Sequence, residues 1–255
     1  MSDSRSYKIT RIAGGDTSQP LAMEKRLTVL SRYLKSASGR FLDCGCGCGA
    51  YVLALVERFG LDAHGIEYEE AKVKTAHLNP ALRERVMQGD LEAIQLPSGS
   101  WDYAMLNEVL EHVPDDRKAL EEIHRVLKPG GMLFIFSPNR WFPFETHGVR
   151  LNSSGRGIPN WTPFIPYLPL RFGMTFLRYG ARNYWQGELA RLVTSAGFTI
   201  IERTFVGLTF EGGSGQLPGL LNAVRPTLRL VANGLERVPL LKRFGLSQVL
   251  VCRSQ

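Results

Sequence analysis

The sequence predicts an α/β fold in which helices cover both faces of a mostly parallel sheet. Three observations carry that expectation. Strand-like and helix-like segments alternate from residue 40 to residue 136. A glycine-rich turn, Asp43-Cys44-Gly45-Cys46-Gly47-Cys48-Gly49, joins the first of these strands to the helix that follows. Two long irregular segments, 138–183 and 207–246, interrupt the rhythm only after strands, where open α/β sheets place their ligand-binding loops.

A first helix is expected over Leu21–Leu34, ahead of the small residues Ser36–Gly39. Arg40–Cys44 reads as a buried strand entering the glycine turn, and Tyr51–Phe59 as the helix after it. Asp62–Glu67 and Glu69–Leu78 repeat the strand–helix pair, and Arg85–Gln88 and Trp101–Leu106 are the third and fourth strands. Asp115–Leu127 places Leu120, Ile123, Val126 and Leu127 on one helical face and stops at Pro129-Gly130-Gly131. Met132–Phe136 is the fifth strand, Tyr184–Ala196 a helix, and Phe198–Thr204 and Ser247–Arg253 the last two strands. These add up to a Rossmann-like, seven-stranded sheet in one domain spanning 1–255. Segments 138–183 and 207–246 then form a basic, aromatic cap inserted after strands 5 and 6, irregular and with short helices.

Composition narrows the setting. Of 255 residues, 44% are hydrophobic and 22% charged, enough to bury a core. No apolar run is long enough to cross a membrane and no secretory signal opens the chain, so a cytoplasmic location is expected, with peripheral contact at the inner membrane face. The net charge of +7 is unevenly placed. Residues 138–183 carry +5 and 214–247 carry +4, which leaves −2 for the remainder. In the second insertion Leu217, Leu220, Leu221, Val224, Leu228 and Val231 fall near helical spacing, with Arg225, Arg229 and Arg237 on another face. Such a helix suits a membrane surface, a partner or a packed lid. Cys44, Cys46 and Cys48 have no second Cys/His cluster to complete a metal site, and read as small residues fitting a tight loop.

The glycine turn brings free backbone N–H groups and a close-approach surface to one place. Gly45, Gly47 and Ala50 also satisfy a G-x-G-x-x-A dinucleotide pattern, with Glu67 where a ribose-binding acid would stand, so a nicotinamide enzyme is the first rival. Two acids argue against it. Asp43 puts a carboxylate where an ammonium-bearing ligand would be held, and Asp90, after the third strand, suits an exocyclic amine.

The segments FLDCGCGCG, GIEYEE, GDLEAIQLPSGSWDYAMLNEVLEHV and LKPGGMLFIFSPN, in that order and spacing, resemble class I S-adenosylmethionine-dependent methyltransferases. The resemblance is to the small-molecule group that includes ubiquinone-pathway O-methyltransferases. It covers about residues 40–138, and more weakly 184–205 and 247–253. It implies that Asp43, Cys44, Gly45, Gly47 and Gly49 hold the methionine part of S-adenosylmethionine. It also implies that Glu67, followed by Tyr68, takes the ribose hydroxyls, that Asp90 and Leu91 flank the adenine, and that Asn107 lies beside the cofactor.

His112 follows the fourth strand and His147 stands in the first insertion among Trp141, Phe142 and Phe144, with Glu145 placed to orient its ring. Both are candidates for a general base. In ubiquinone-pathway enzymes the pattern E-x-x-E-H is associated with a divalent metal. It matches Glu108, Glu111 and His112, residues at a spacing that shares one helix face, but no metal is assigned here. Methyl transfer by in-line displacement to a small-molecule or lipid- or glycan-linked acceptor is the expected function, with O-methylation favoured. An anionic acceptor and peripheral membrane contact through 163–182 or 217–243 are the expected partners. An RNA methyltransferase and a non-enzymatic cofactor-binding scaffold stay open as alternatives.

Overall fold

The structure, a computed structural model, describes residues 20–34, 38–145, 147–159, 162–168, 173, 175–207 and 242–255. The chain runs α1 (Pro20–Leu34), β1 (Arg40–Cys44), α2 (Ala50–Phe59), β2 (Asp62–Glu67), α3 (Glu70–Ala76), β3 (Val86–Gln88), β4 (Trp101–Asn107), α4 (Asp116–Val126) and β5 (Leu127–Pro138). Three short strands follow, β6 (Val149–Leu151), β7 (Gly157–Ile158) and β8 (Leu177–Tyr179). Helix α5 (Gln186–Ser195), β9 (Phe198–Val206) and β10 (Ser247–Ser254) complete the described elements.

Seven strands form one sheet in the order β3-β2-β1-β4-β5-β10-β9. Pairings β1–β2, β1–β4, β2–β3 and β4–β5 are parallel, while β10 runs antiparallel to both β5 and β9. From β1 the chain builds outward to β3 and then returns to the other side of β1. The carboxyl ends of β1 and β4 therefore open onto a crevice at the point of reversal.

Alternate residues of each central strand feed two cores. Leu42, Leu106, Ile135 and Leu250 pack on one face against Leu120, Ile123, Leu189 and Val193 of α4 and α5. Phe41, Met105, Phe134 and Val249 pack on the other against Leu30 of α1 and Leu55 of α2. Phe41 and Phe134 lie parallel, with centroids 6.2 Å apart. Strand β1 is buried from Phe41 to Cys44, so Asp43 is held in the interior near the strand's carboxyl end.

Several boundaries differ from the sequence expectation. Helix α3 ends at Ala76, and Pro129-Gly130-Gly131 does not precede the fifth strand but lies within it. Leu127 already pairs with Trp101, the register slips, and pairing resumes at Met132 with Tyr103. The Pro-Gly-Gly run supplies this bulge, with Gly130 at φ 79°. The first insertion is not merely irregular with short helices: it folds β6, β7 and β8 into a separate antiparallel sheet, ordered β7-β6-β8. Almost all of the second insertion, where the sequence predicts a basic apolar helix, lies outside the described residues. No described helix is long and apolar enough to cross a membrane.

Glycine 65, in the middle of β2, is a packing requirement that the sequence does not advertise. A Cβ there would sit 2.4 Å from Cys46 Sγ. Gly65→Ala is expected to destabilise the fold by about 1–3 kcal/mol through overpacking, read from the midpoint of urea unfolding; an unchanged midpoint would show that the glycine turn gives way without cost.

Candidate active site

The glycine turn is tied down before any ligand is considered. The Gly45 and Cys46 amides both donate to Ile66 O, at 2.8 and 3.0 Å, and the Gly47 amide donates to Glu67 Oε2 at 2.8 Å. Glu67 Oε1 accepts from the Glu69 amide at 2.9 Å, so its carboxylate is fixed at the end of β2. Gly45, Gly47 and Gly49 all hold positive φ, at 86, 56 and 83°. At Gly45 a Cβ would also collide with Val109, 2.5 Å away, and at Gly49 with Leu82, 2.8 Å away. The turn therefore needs glycine for its own packing.

A pocket opens beside this turn, walled by Gly45, Glu67, Tyr68, Asp90, Leu91 and His112, with Ile66, Val109, Val113 and Pro114. Five of the cofactor residues expected from sequence thus share one wall. Asp43 and Asn107 lie deeper, each nearly inaccessible, at the ends of β1 and β4. Cys44 departs from the expectation: its thiol is packed in the core with Leu42 and Leu106, pushed up by burial, and only its backbone is left for a ligand.

Asp43 is chemically conspicuous. Both its oxygens are buried without a hydrogen-bond partner. Removal from water, and next the Glu67 charge, push its carboxyl up to about 8. Asn107 Oδ1 is also buried and unpartnered, beside the Tyr51 hydroxyl. Unsatisfied acceptors at this density ask for a donor that is itself charged. An ammonium-bearing ligand fits them.

The pH dependence of the ligand-free protein follows from the sign of that shift. A carboxyl whose folded value lies near 8 and whose unfolded value lies near 3.8 keeps its proton in the folded state while the unfolded chain loses it. Stability then falls as pH rises through this window. His112, pushed down to about 3, acts oppositely, but only below its ordinary 6.5. Between pH 6.5 and 8 the melting temperature of the ligand-free protein is expected to fall, less steeply in Asp43→Asn. A flat calorimetric profile in the parent chain would contradict the buried-carboxylate assignment.

Behind His112, which lines the pocket, Glu111, His112 and His147 converge, with one ligating atom of each within 4.8 Å of the others. The His112 and His147 rings meet edge to face at 5.1 Å. Glu111 is fully buried, neither of its oxygens is hydrogen-bonded, and His147 Nε2 stands 3.7 Å from Oε1. Burial, and next the Glu108 charge, push the Glu111 carboxyl well above the usual range. Burial, and next His147, push His112 down to about 3, so its ring stays neutral.

Two sequence expectations are corrected here. Glu108, Glu111 and His112 do not share a helix face, because the chain forms only a short 3₁₀ turn over Leu110–His112 and Glu108 holds φ 55°. Glu108 turns away to Arg26, at 2.9 Å, and Ser247, at 2.5 Å. His147 takes its place in the cluster. Glu145 does not orient the His147 ring as expected: Oε1 accepts the His147 backbone N–H at 3.0 Å, and Oε2 accepts from Asn183 at 2.6 Å. The carboxyl facing the ring's Nε2 is that of Glu111.

Sequence reasoning missed the buried Arg26 and what holds the cap in place. Arg182 donates to Asp116 at 2.6 Å and to Pro114 O at 2.7 Å, and its amide donates to Glu111 O at 3.2 Å. Arg140 donates to Pro166 O and Leu168 O and stacks over Trp185. Two of the cap's arginines are therefore structural braces that the charge count alone could not tell from ligand-binding ones.

Residues 42–135 match the family model of the methyltransferase domain. A solved S-adenosylmethionine-dependent methyltransferase from Methanosarcina mazei shares the fold at a TM-score of 0.58 and 19% identity, over 89% of this chain and 96% of that one. The (4+2)-cyclase SpnF does so at 0.58 and 20%, over 97% and 85%. Over residues 42–135, then, the chain is similar to a methyltransferase domain, and the solved structures share its fold. By sequence the chain is similar to the ubiquinone biosynthesis O-methyltransferase of Pseudomonas aeruginosa, 35% identical over 109 residues. The matched stretch covers 41% of this chain and 46% of that relative, so the chain spans less than half the length of that curated relative.

Proposed function

We propose that the chain methylates a hydroxyl group of a small-molecule or lipid- or glycan-linked acceptor. The observation that carries the reading is the buried, unpartnered Asp43 carboxylate at the inner end of the cofactor crevice. The fold alone does not decide the chemistry, since a cyclase shares it. A carboxylate that waits for an ammonium beside a ribose-binding acid is what an amino-acid-bearing nucleoside needs. S-adenosylmethionine, when bound, supplies a methyl group already activated on its sulfonium.

Asp43 receives the ammonium, the Glu67 oxygens receive the ribose hydroxyls beside Tyr68, and Asp90 and Leu91 flank the adenine. Asn107 lies beside the methionine chain, and the glycine turn lets the backbone approach. Alignment of acceptor and cofactor under the cap, with water excluded, supplies about 7–11 kcal/mol of barrier lowering.

The proton of an acceptor hydroxyl needs a destination, and the cluster that begins at His112 provides one. His112, kept neutral, faces the pocket and accepts a hydrogen bond from the hydroxyl. The proton comes to rest on His147, whose Nε2 stands 3.7 Å from the Glu111 carboxyl. A carboxylic acid acceptor would need none of this, which favours a hydroxyl; the O-methyltransferase relative points the same way.

The test is formation of S-adenosylhomocysteine by the full chain with a panel of phenols, isoprenoid phenols, sugars and carboxylic acids. Turnover confined to hydroxyl-bearing members is expected. Turnover confined to carboxylic acids, or none with any member while the cofactor binds, would overturn the hydroxyl assignment.

A further inference from the structure

We infer that the exposed face of the small β7-β6-β8 sheet is a docking surface for an anionic lipid bilayer. Its two faces differ sharply. Val149, Leu177 and Tyr179 turn inward and pack with Ile158, Ile165 and Leu168. Arg150 and Arg178 turn outward, and the antiparallel register sets them directly opposite each other. Like charges in facing positions oppose strand pairing, so this pair works against the sheet that carries it.

Among the described residues no carboxylate neutralises it. From residue 146 to residue 187 the sequence contains no Asp or Glu. Among the described residues neither Arg150 nor Arg178 pairs with a carboxylate, in contrast to Arg182, which is held by Asp116. Among the described residues Arg150 Nη1 donates to the Gly155 carbonyl, at 3.3 Å. Arg156 adds a further exposed cation in the turn between β6 and β7.

Phe176 chooses the partner. It precedes Leu177, opposite Asn152, whose amide donates to Phe176 O at 2.9 Å. Strand alternation puts it on the same outward face as Arg178, and it is 55% exposed. An apolar ring beside arginines fits a bilayer interface, where the ring enters the acyl boundary and the guanidinium groups stay among anionic headgroups. A nucleic acid would use the charges, but the footprint of two facing arginines is short for tracking a phosphate backbone.

The experiment is co-sedimentation of the full chain, without cofactor, with vesicles of phosphatidylcholine alone or with phosphatidylglycerol. Binding only to the mixed vesicles, weakened by salt, is expected. Each arginine near an anionic surface contributes about fivefold in partitioning, so Arg150→Ala with Arg178→Ala lowers it about 25-fold. Arg150→Lys with Arg178→Lys retains most of it. Phe176→Ala lowers it about tenfold without changing the salt dependence. Equal binding by the double alanine variant, binding regardless of lipid charge, or binding of single-stranded RNA with none of vesicles would each overturn the proposal. Cofactor titration is independent of all these outcomes, so failure here leaves the methyl-transfer reading standing.

Discussion

Replacing His147 with alanine is expected to lower turnover of a hydroxyl acceptor by about 10²–10⁴-fold, the usual worth of a positioned base. Cofactor affinity should not follow, because His147 is not among the residues that wall the pocket beside Glu67. The reason for choosing His147 over His112 is where each ring is held. His112 is pushed down to about 3 by its burial and by His147, and a ring that stays neutral so persistently cannot keep a proton. His147 has the Glu111 carboxyl 3.7 Å from its Nε2, so positive charge arriving there is shared. Glu111→Gln should then flatten the pH dependence of turnover while leaving a measurable rate, a change that loss of packing alone would not produce. Full activity in His147→Ala would remove the residue from the mechanism.

The second large effect is on binding. Asp43→Ala is expected to cost about 2–5 kcal/mol of cofactor affinity, roughly a 30- to 5,000-fold rise in Kd, as for truncating one partner of a buried charge pair. The same substitution should stabilise the ligand-free protein above neutral pH, since it removes a carboxylate held up to about 8 with no partner. Opposite movement of stability and affinity distinguishes a binding residue from a structural one. If both fell together, Asp43 would be part of the fold's own framework.

What the sequence made legible follows from where the information sits. Strands β1 and β2 end where their apolar runs end, and the glycine turn between β1 and α2 is dictated locally by positions that require positive φ. The pocket wall was legible for the same reason, because Glu67 ends β2, Tyr68 follows it, and Asp90 and Leu91 lie within three residues of the end of β3. The cap was harder: β7 has two residues, and segments so short carry no period that can be read. The third member of the histidine cluster was illegible as such, because Glu111 and His147 meet only through the return of the chain after β5. Arg26 reaching Glu108 across 82 residues is the same kind of contact. The spacing of Glu108, Glu111 and His112 misled because it assumes a helix where the chain makes a single tight turn.

Calorimetric titration of S-adenosylmethionine into the full chain, with NAD as the control, tests the central claim most directly. One-to-one binding in the micromolar range or tighter, with no heat from NAD, is the result expected from an unpartnered Asp43 beside Glu67. Absence of binding, or binding of NAD in its place, would contradict the methyltransferase reading and leave only the fold.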